Sequence, residues 1–178
     1  MQIIRQLVEI IIRKRQPQDL DFNSNAAAIS LACSIGLGYM LYSKIPQISQ
    51  PLIYNIAMVL LQALAIYGFL AINKKANRFT QTITAIFGVT VILQIVTVGL
   101  GQAGILATFS LLVTLWNLAL VISIMRSALE CSIIKAVIVT LGYHLFMGIF
   151  MAMLFPKFPV ELQSILEAAN TALQTAGT

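Results

Sequence analysis

The stretch that decides the fold is residues 105–156, ILATFSLLVTLWNLALVISIMRSALECSIIKAVIVTLGYHLFMGIFMAMLFP. It consists of two apolar segments joined by the short polar connection MRSALE at residues 125–130. Each segment is about twenty residues long, which at a rise of roughly 1.5 Å per residue matches a hydrocarbon core roughly 30 Å thick. The stretch therefore predicts a hairpin of two membrane-spanning helices around which the rest of the chain is organised.

The composition indicates the same class for the whole chain. Of its 178 residues, 59% are hydrophobic and 10% are charged, whereas about a quarter of the residues in soluble domains are charged. The mean hydropathy is +0.91. The net charge is +5, and because the cations flank apolar segments, they indicate anionic lipid rather than nucleic acid as a partner. The predicted class is a polytopic α-helical membrane protein.

Hydropathy predicts an all-α bundle of five transmembrane helices that follows an amphipathic helix. We expect residues 1–25 to form a basic interfacial head and turn, and residues 26–156 to form the five-helix transmembrane domain. Residues 157–178 are expected to form an extracytoplasmic amphipathic tail. The expected spans are residues 26–42, 52–72, 80–100, 105–125 and 133–154.

Residues 1–15 have the pattern of an amphipathic helix that ends in three consecutive cations, Arg13, Lys14 and Arg15. Such a helix lies in the membrane interface when its basic face meets anionic headgroups, and each cation contributes on the order of 1 kcal/mol. The alternative is a helix that packs on the protein's own loops. The apolar face is formed by Ile4, Leu7, Val8 and Ile11.

Basic residues are distributed unevenly among the connections. If the amino terminus is cytoplasmic, nine Lys and Arg residues fall on the cytoplasmic side and two, Lys44 and Lys157, on the other. Cytoplasmic loops carry the excess of Lys and Arg in membrane proteins. The pattern predicts a cytoplasmic amino terminus and an extracytoplasmic carboxyl terminus.

Polar side chains near the middle of four spans are the first candidate site. A polar group at this depth is costly unless it finds a partner. One of these side chains, His144, can relay protons, bind a metal or hold a ligand. Alternatively, it can hydrogen-bond to another member of the layer or to a threonine and so fix the register of the helices. One histidine supplies too few ligands for a metal site, so no metal, cofactor or catalytic residue is predicted. The layer consists of Gln62, Thr90, Asn117 and His144.

Small residues at every fourth position of the first span, Ala28, Ala32 and Gly36, predict close packing with another helix. In the third span, a polar stripe runs down one side of the second half and consists of Thr90, Gln94, Thr97 and Gly101. The stripe either hydrogen-bonds to neighbouring helices or lines a wet cavity.

Arg126 and Glu130 lie four residues apart in the connection between the last two spans, a spacing at which they can pair. An exposed pair of this kind contributes only about 0.3–0.5 kcal/mol. The two interpretations are a docking point for a cytoplasmic partner and an ion pair at a helix end. Together with Arg13, Lys14 and Arg15, the pair forms the predicted contact with lipid headgroups or a partner.

Residues 99–104, GLGQAG, match the dinucleotide-binding pattern GxGxxG. That site needs a preceding strand and an acidic residue about twenty positions further on. Here two predicted spans flank the glycines, and the next carboxylate is Glu130. The glycines therefore predict a tight hairpin between two helices.

Five stretches give the chain a resemblance to known proteins: RKRQPQDL at 13–20, RFTQTITA at 78–85, LWNLA at 115–119, RSALE at 126–130 and LFP at 154–156. On these stretches the chain resembles a family of small, functionally uncharacterised bacterial inner-membrane proteins. The resemblance implies a multi-pass protein of the bacterial inner membrane. In topology alone the chain is similar to the Yip1-type membrane proteins, which are organisers and partner-binding proteins rather than enzymes.

These observations predict a non-enzymatic accessory or scaffold protein that acts by helix packing. Its expected contacts are membrane lipids and either a membrane-protein partner or a second copy of itself, without nucleic acid. The alternative is a small transporter or channel subunit that uses the midplane polar layer.

Overall fold

The computed structural model describes residues 2–14, 16–20, 23–45, 48–101 and 106–155. These residues form six α-helices and two short 3₁₀ turns, with no strand among them, which confirms the all-α prediction. Five of the helices are long and apolar enough to cross a membrane. The predicted tail, residues 157–178, lies outside the described residues. The elements are α1 Gln2–Ile11, a 3₁₀ turn Pro17–Asp19, α2 Ser24–Tyr42, α3 Pro51–Ile72, a 3₁₀ turn Ala76–Arg78, α4 Phe79–Gly101, α5 Leu106–Leu129 and α6 Ile133–Leu154.

The helices begin at local sequence signals. Asn23 caps α2, because its Oδ1 accepts hydrogen bonds from the N–H groups of Asn25 and Ala26 at 3.0 and 3.2 Å. Pro51 occupies the first position of α3, where its missing N–H is not needed. Ser132 caps α6 by accepting a hydrogen bond from a backbone N–H in its first turn. The spans therefore begin within two residues of their expected starts.

Helix α4 is the centre of the bundle. Every residue from 82 to 89 is buried, and α4 packs against α1, α2, α3 and α5. The hairpin of α5 and α6 forms as expected, but α4 organises the core in place of that hairpin. The reason is that the first half of α4 has neighbouring helices on every side, whereas α6 contacts chiefly α3 and α5.

The connection between α5 and α6 is shorter than expected. Helix α5 continues to Leu129, and Met125, Ala128 and Leu129 are buried in the core. The prediction of a connection over residues 125–130 is therefore wrong for all but Glu130. Burial of the apolar side chains within that run extends the helix by another turn.

Three helices end in the same way. A charged residue follows each helix in the left-handed conformation that glycine usually adopts there: Arg13 after α1 (φ 58°), Lys74 after α3 (φ 57°) and Glu130 after α5 (φ 50°). Each end has the paired hydrogen bonds of a Schellman motif, such as Lys75 N–H to Leu70 O at 2.8 Å. An L-residue in this conformation costs roughly 1–2 kcal/mol. We term this end of the bundle, where α3 and α5 end and α2, α4 and α6 begin, the basic end.

Helix α1 packs on a span. It ends at Ile11, four residues before the expected end of the helix. Leu7 and Ile10 are buried, and Leu7 lies against Gly88 of α4. Gly88 is nine residues into α4, or about 14 Å along its axis. The side chain of Ile4 is 64% exposed and faces outward, where it can meet lipid.

The outer surfaces of the spans are apolar. Large side chains such as Leu60, Ile134, Leu145 and Met153 are more than half exposed. Soluble monomers rarely expose large apolar patches, whereas lipid tails are as apolar as these side chains. The exposed surface therefore agrees with a membrane environment for the five spans.

Candidate functional site

The four side chains of the predicted midplane layer do not meet in one site. Gln62 of α3 interacts with the side chain of Tyr143 of α6. Thr90 of α4 and Asn117 of α5 are half-buried, and His144 is exposed on the outer side of α6. The layer contributes one contact between α3 and α6, and it does not bring its members into a common binding geometry.

His144 interacts with its own helix. Its Nδ1 lies 2.7 Å from the carbonyl oxygen of Thr140, and its ring packs edge-on against Tyr143 with centroids 4.7 Å apart. Tyr143 belongs to the buried face of α6, and the next residue lies about 100° further round the helix. The expected contact of His144 with a threonine is thus present, but it is made with the backbone carbonyl of Thr140 in the same helix. It therefore does not fix the register of α6 against another helix.

Two amide oxygens on α4 and α5, Gln94 Oε1 and Asn117 Oδ1, are buried and have no hydrogen-bond partner among the described residues. Leaving a buried polar group unpaired costs about 1–3 kcal/mol. Thr97, in the same stripe as Gln94, donates to Leu93 O at 2.9 Å and is satisfied within α4. The predicted stripe therefore combines a locally bonded threonine with an amide oxygen that lacks a donor.

The small residues Ala28, Ala32 and Gly36 lie on the outer side of α2. A Cβ placed on Gly36 would meet nothing within 4 Å. Helix α2 does pack within the bundle as expected, but it uses other small residues. The buried residues of α2 are Ala26, Ala27, Ser30, Ser34 and Gly38.

A polar contact between α2 and α3 is absent from the sequence predictions. Asn55 of α3 is 4% exposed and donates from Nδ2 to Ile35 O at 2.6 Å and to Ser34 O at 3.4 Å. Gly38 provides the space for the amide, since a Cβ there would overlap it. The available signal was an asparagine near the start of one span and a glycine near the end of the span before it.

Three of the five charged residues predicted to contact headgroups or a partner line one cavity. It has a volume of about 430 Å³ and lies between the head segment, residues 2–20, and the half of α5 that reaches the basic end. Arg13, Arg126 and Glu130 all line it. The structure thus brings Arg13 of the head segment together with Arg126 and Glu130, which lie at and just after the end of α5.

Arg13 lies against the middle of α5. Its guanidinium carbon is 5.2 Å from the centroid of the Trp116 ring, a cation–π arrangement. The side chain of Lys14 is exposed, and its N–H completes the end of α1 by donating to Glu9 O at 2.8 Å. Arg15 lies outside the described residues.

Glu130 joins two connections at the basic end. Its carboxylate forms ion pairs with Lys75 and Arg78 instead of the expected Arg126. Arg78 also donates to two carbonyls in the last turn of α5, at 3.3 Å each, and so caps that helix. Hydrogen bonds from Lys75 and then Arg78 hold the pKa of the Glu130 carboxyl below its usual value of 4.5.

The GxGxxG run is preceded by helix. Gly99 and Gly101 belong to α4, and residues 102–105 lie outside the described part of the chain. A dinucleotide site of this pattern needs a strand before the first glycine. A helix and not a strand precedes the glycines here, and the predicted tight hairpin stays a prediction.

Comparison of the chain with family models, with curated proteins and with solved structures found no match. The resemblances drawn from the sequence stay predictions.

Proposed function

We propose that the protein is a non-enzymatic accessory or scaffold component of the bacterial inner membrane. In this proposal its amino terminus is cytoplasmic, and the outer side of α2 binds a transmembrane helix of a partner protein or of a second copy. The excess of cations in the connections of the basic end supports the cytoplasmic assignment of that end.

The observation that carries the proposal is the placement of Ala28, Ala32 and Gly36. Small residues at this spacing allow two helix backbones to approach closely, which is how helices associate in lipid. Helix α2 packs within the bundle through other residues, so these three are exposed and available for contact with another helix. Cys33, also exposed on α2, offers a site for cross-linking in the membrane.

The test compares Gly36→Leu with Gly148→Leu. A side chain at either position meets open space, so neither leucine disturbs the monomer. Each tagged protein is isolated from native membranes in a lipid-preserving extract, and the mass and composition of its complex are measured. We expect Gly36→Leu to lose the associated chain and Gly148→Leu to retain it. A complex that survives leucine at Ala28, Ala32 and Gly36 together refutes the proposal.

A small transporter or channel subunit is the second candidate. It is favoured by the buried oxygens of Gln94 and Asn117, which water or a polar solute would satisfy. Cysteines at Thr90 and Thr97, in a background without Cys33 and Cys131, should then react with aqueous thiol reagents. A cysteine at the lipid-facing Leu145 is the control. Reaction no faster at the two threonine positions than at Leu145 counts decisively against transport.

A further inference from the structure

The cavity at the basic end is lined by groups that bind phosphate oxygens. Arg13 and Arg126 contribute guanidinium groups, and Gln16, Ser123 and Ser127 contribute amide and hydroxyl groups. We propose that this cavity binds the phosphate-bearing headgroup of an anionic phospholipid. The inference does not depend on the association through α2.

The charge around the cavity remains positive after internal ion pairs are counted. Glu130 is the one carboxylate that lines it among the described residues, and Lys75 and Arg78 already pair with that carboxylate. Arg126 forms no ion pair with any carboxylate of the described residues. Within the described residues its charge is therefore left for an anionic ligand, and Arg13 places a second cation in the lining of the same cavity.

The cavity is long and mixed in polarity. Along α5 its lining runs from Leu120 to Ser127, seven residues further on, or about 10 Å at the helical rise. Ile10, Leu120 and Ile124 supply apolar surface between the two arginines. A phospholipid carries a phosphate and acyl chains in one molecule and so matches both parts of this lining. Free phosphate would use the polar part alone.

The guanidinium of Arg13 is held in place by a contact with α5. Its carbon lies 5.2 Å from the centroid of the Trp116 ring, so a cation–π interaction fixes the charge against α5 at the wall of the cavity. An arginine held in this way is already positioned to receive an anionic group.

The experiment follows the thermal unfolding midpoint of the full-length protein in an uncharged detergent. The protein is titrated with phosphatidylglycerol, with phosphatidylcholine and with soluble glycerol 3-phosphate. A ligand that binds only the folded state raises the midpoint by mass action. We expect phosphatidylglycerol to raise it at concentrations where the other two have no effect. If glycerol 3-phosphate acts as strongly, the site takes soluble phosphate esters and the lipid assignment is overturned.

Variants assign the effect to the cavity. Arg126→Gln should weaken phosphatidylglycerol binding about tenfold, the effect of losing one charge-assisted hydrogen bond. Lys74→Gln removes the same charge at the same end but lies outside the cavity lining, so it should bind as the wild type does. Arg13→Gly removes the other guanidinium while relaxing the backbone, so a weaker affinity in that variant is not a folding defect. Equal affinities of the wild type, Arg126→Gln and Lys74→Gln would overturn the proposal.

Discussion

Asn55 of α3 fills the space beside Gly38 of α2, and a Cβ on Gly38 would lie 2.6 Å from Asn55 Cγ. The amide in this position donates to Ile35 O at 2.6 Å. Apolar contacts between helices gain little in lipid, because lipid tails are equally apolar. A close approach with an interhelical hydrogen bond therefore contributes strongly to the contact of α2 with α3.

Gly38→Ala should destabilise the protein by about 1–3 kcal/mol, because the new methyl group expels Asn55 from its carbonyl partners and leaves buried polar groups unpaired. Gly36→Ala is the matched control, since that position faces open space on the same helix. Unfolding of both variants by denaturing detergent gives the comparison. Two equally stable variants would contradict the role assigned to Asn55.

Leu7→Ala should loosen α1 from the bundle, at a cost of about 2 kcal/mol or more, because Leu7 is buried against Gly88 of α4. Ile4→Ala, on the exposed side of α1, should leave stability almost unchanged. Thermal unfolding of the two variants measures the difference. An equal small effect of both would mean that lipid, and not α4, holds α1.

The span bounds could be predicted from the sequence because they depend on local properties. An apolar run of the right length, bounded by Pro51 or Ser132, determines where a helix starts regardless of its neighbours. Helix α6 has the predicted limits, Ile133–Leu154, for this reason. The end of α5 could not be predicted in this way, because it depends on tertiary burial of Ala128 and Leu129.

The packing faces could not be predicted in the same way. Helix α2 has small residues on more than one side, and lipid-facing and buried positions are similarly apolar, so hydropathy does not distinguish Gly36 from Gly38. The charged cluster was recognisable from its composition. Its arrangement was not, because the partners of Glu130 come from residues 75 and 78, more than fifty positions earlier in the chain.

Lys74→Gly should be more stable than Lys74→Ala by about 1 kcal/mol. Both substitutions remove the exposed lysine side chain, but alanine keeps the strain of a φ of 57° and glycine relieves it. The difference between the two variants in reversible unfolding isolates the backbone contribution. If alanine is as stable as glycine, the left-handed conformation after α3 carries no strain.

Glu130 should make stability depend on pH in the acid range. Its folded pKa lies below the usual 4.5 because Lys75 and Arg78 hydrogen-bond to the carboxylate. The contribution of this carboxylate to stability is therefore complete well above pH 4.5. As the pH falls below 4.5, the carboxyl group of the unfolded chain takes up a proton first, and the contribution is lost as the pH falls through the lower folded pKa. In Glu130→Gln this contribution is absent at every pH, so the difference in stability between the wild type and the variant isolates it. The wild type should be the more stable protein at pH 7, and the gap should narrow below pH 4.5. A gap in unfolding midpoints that stays constant from pH 7 to pH 3 would mean that the carboxylate charge of Glu130 does not hold the two connections together.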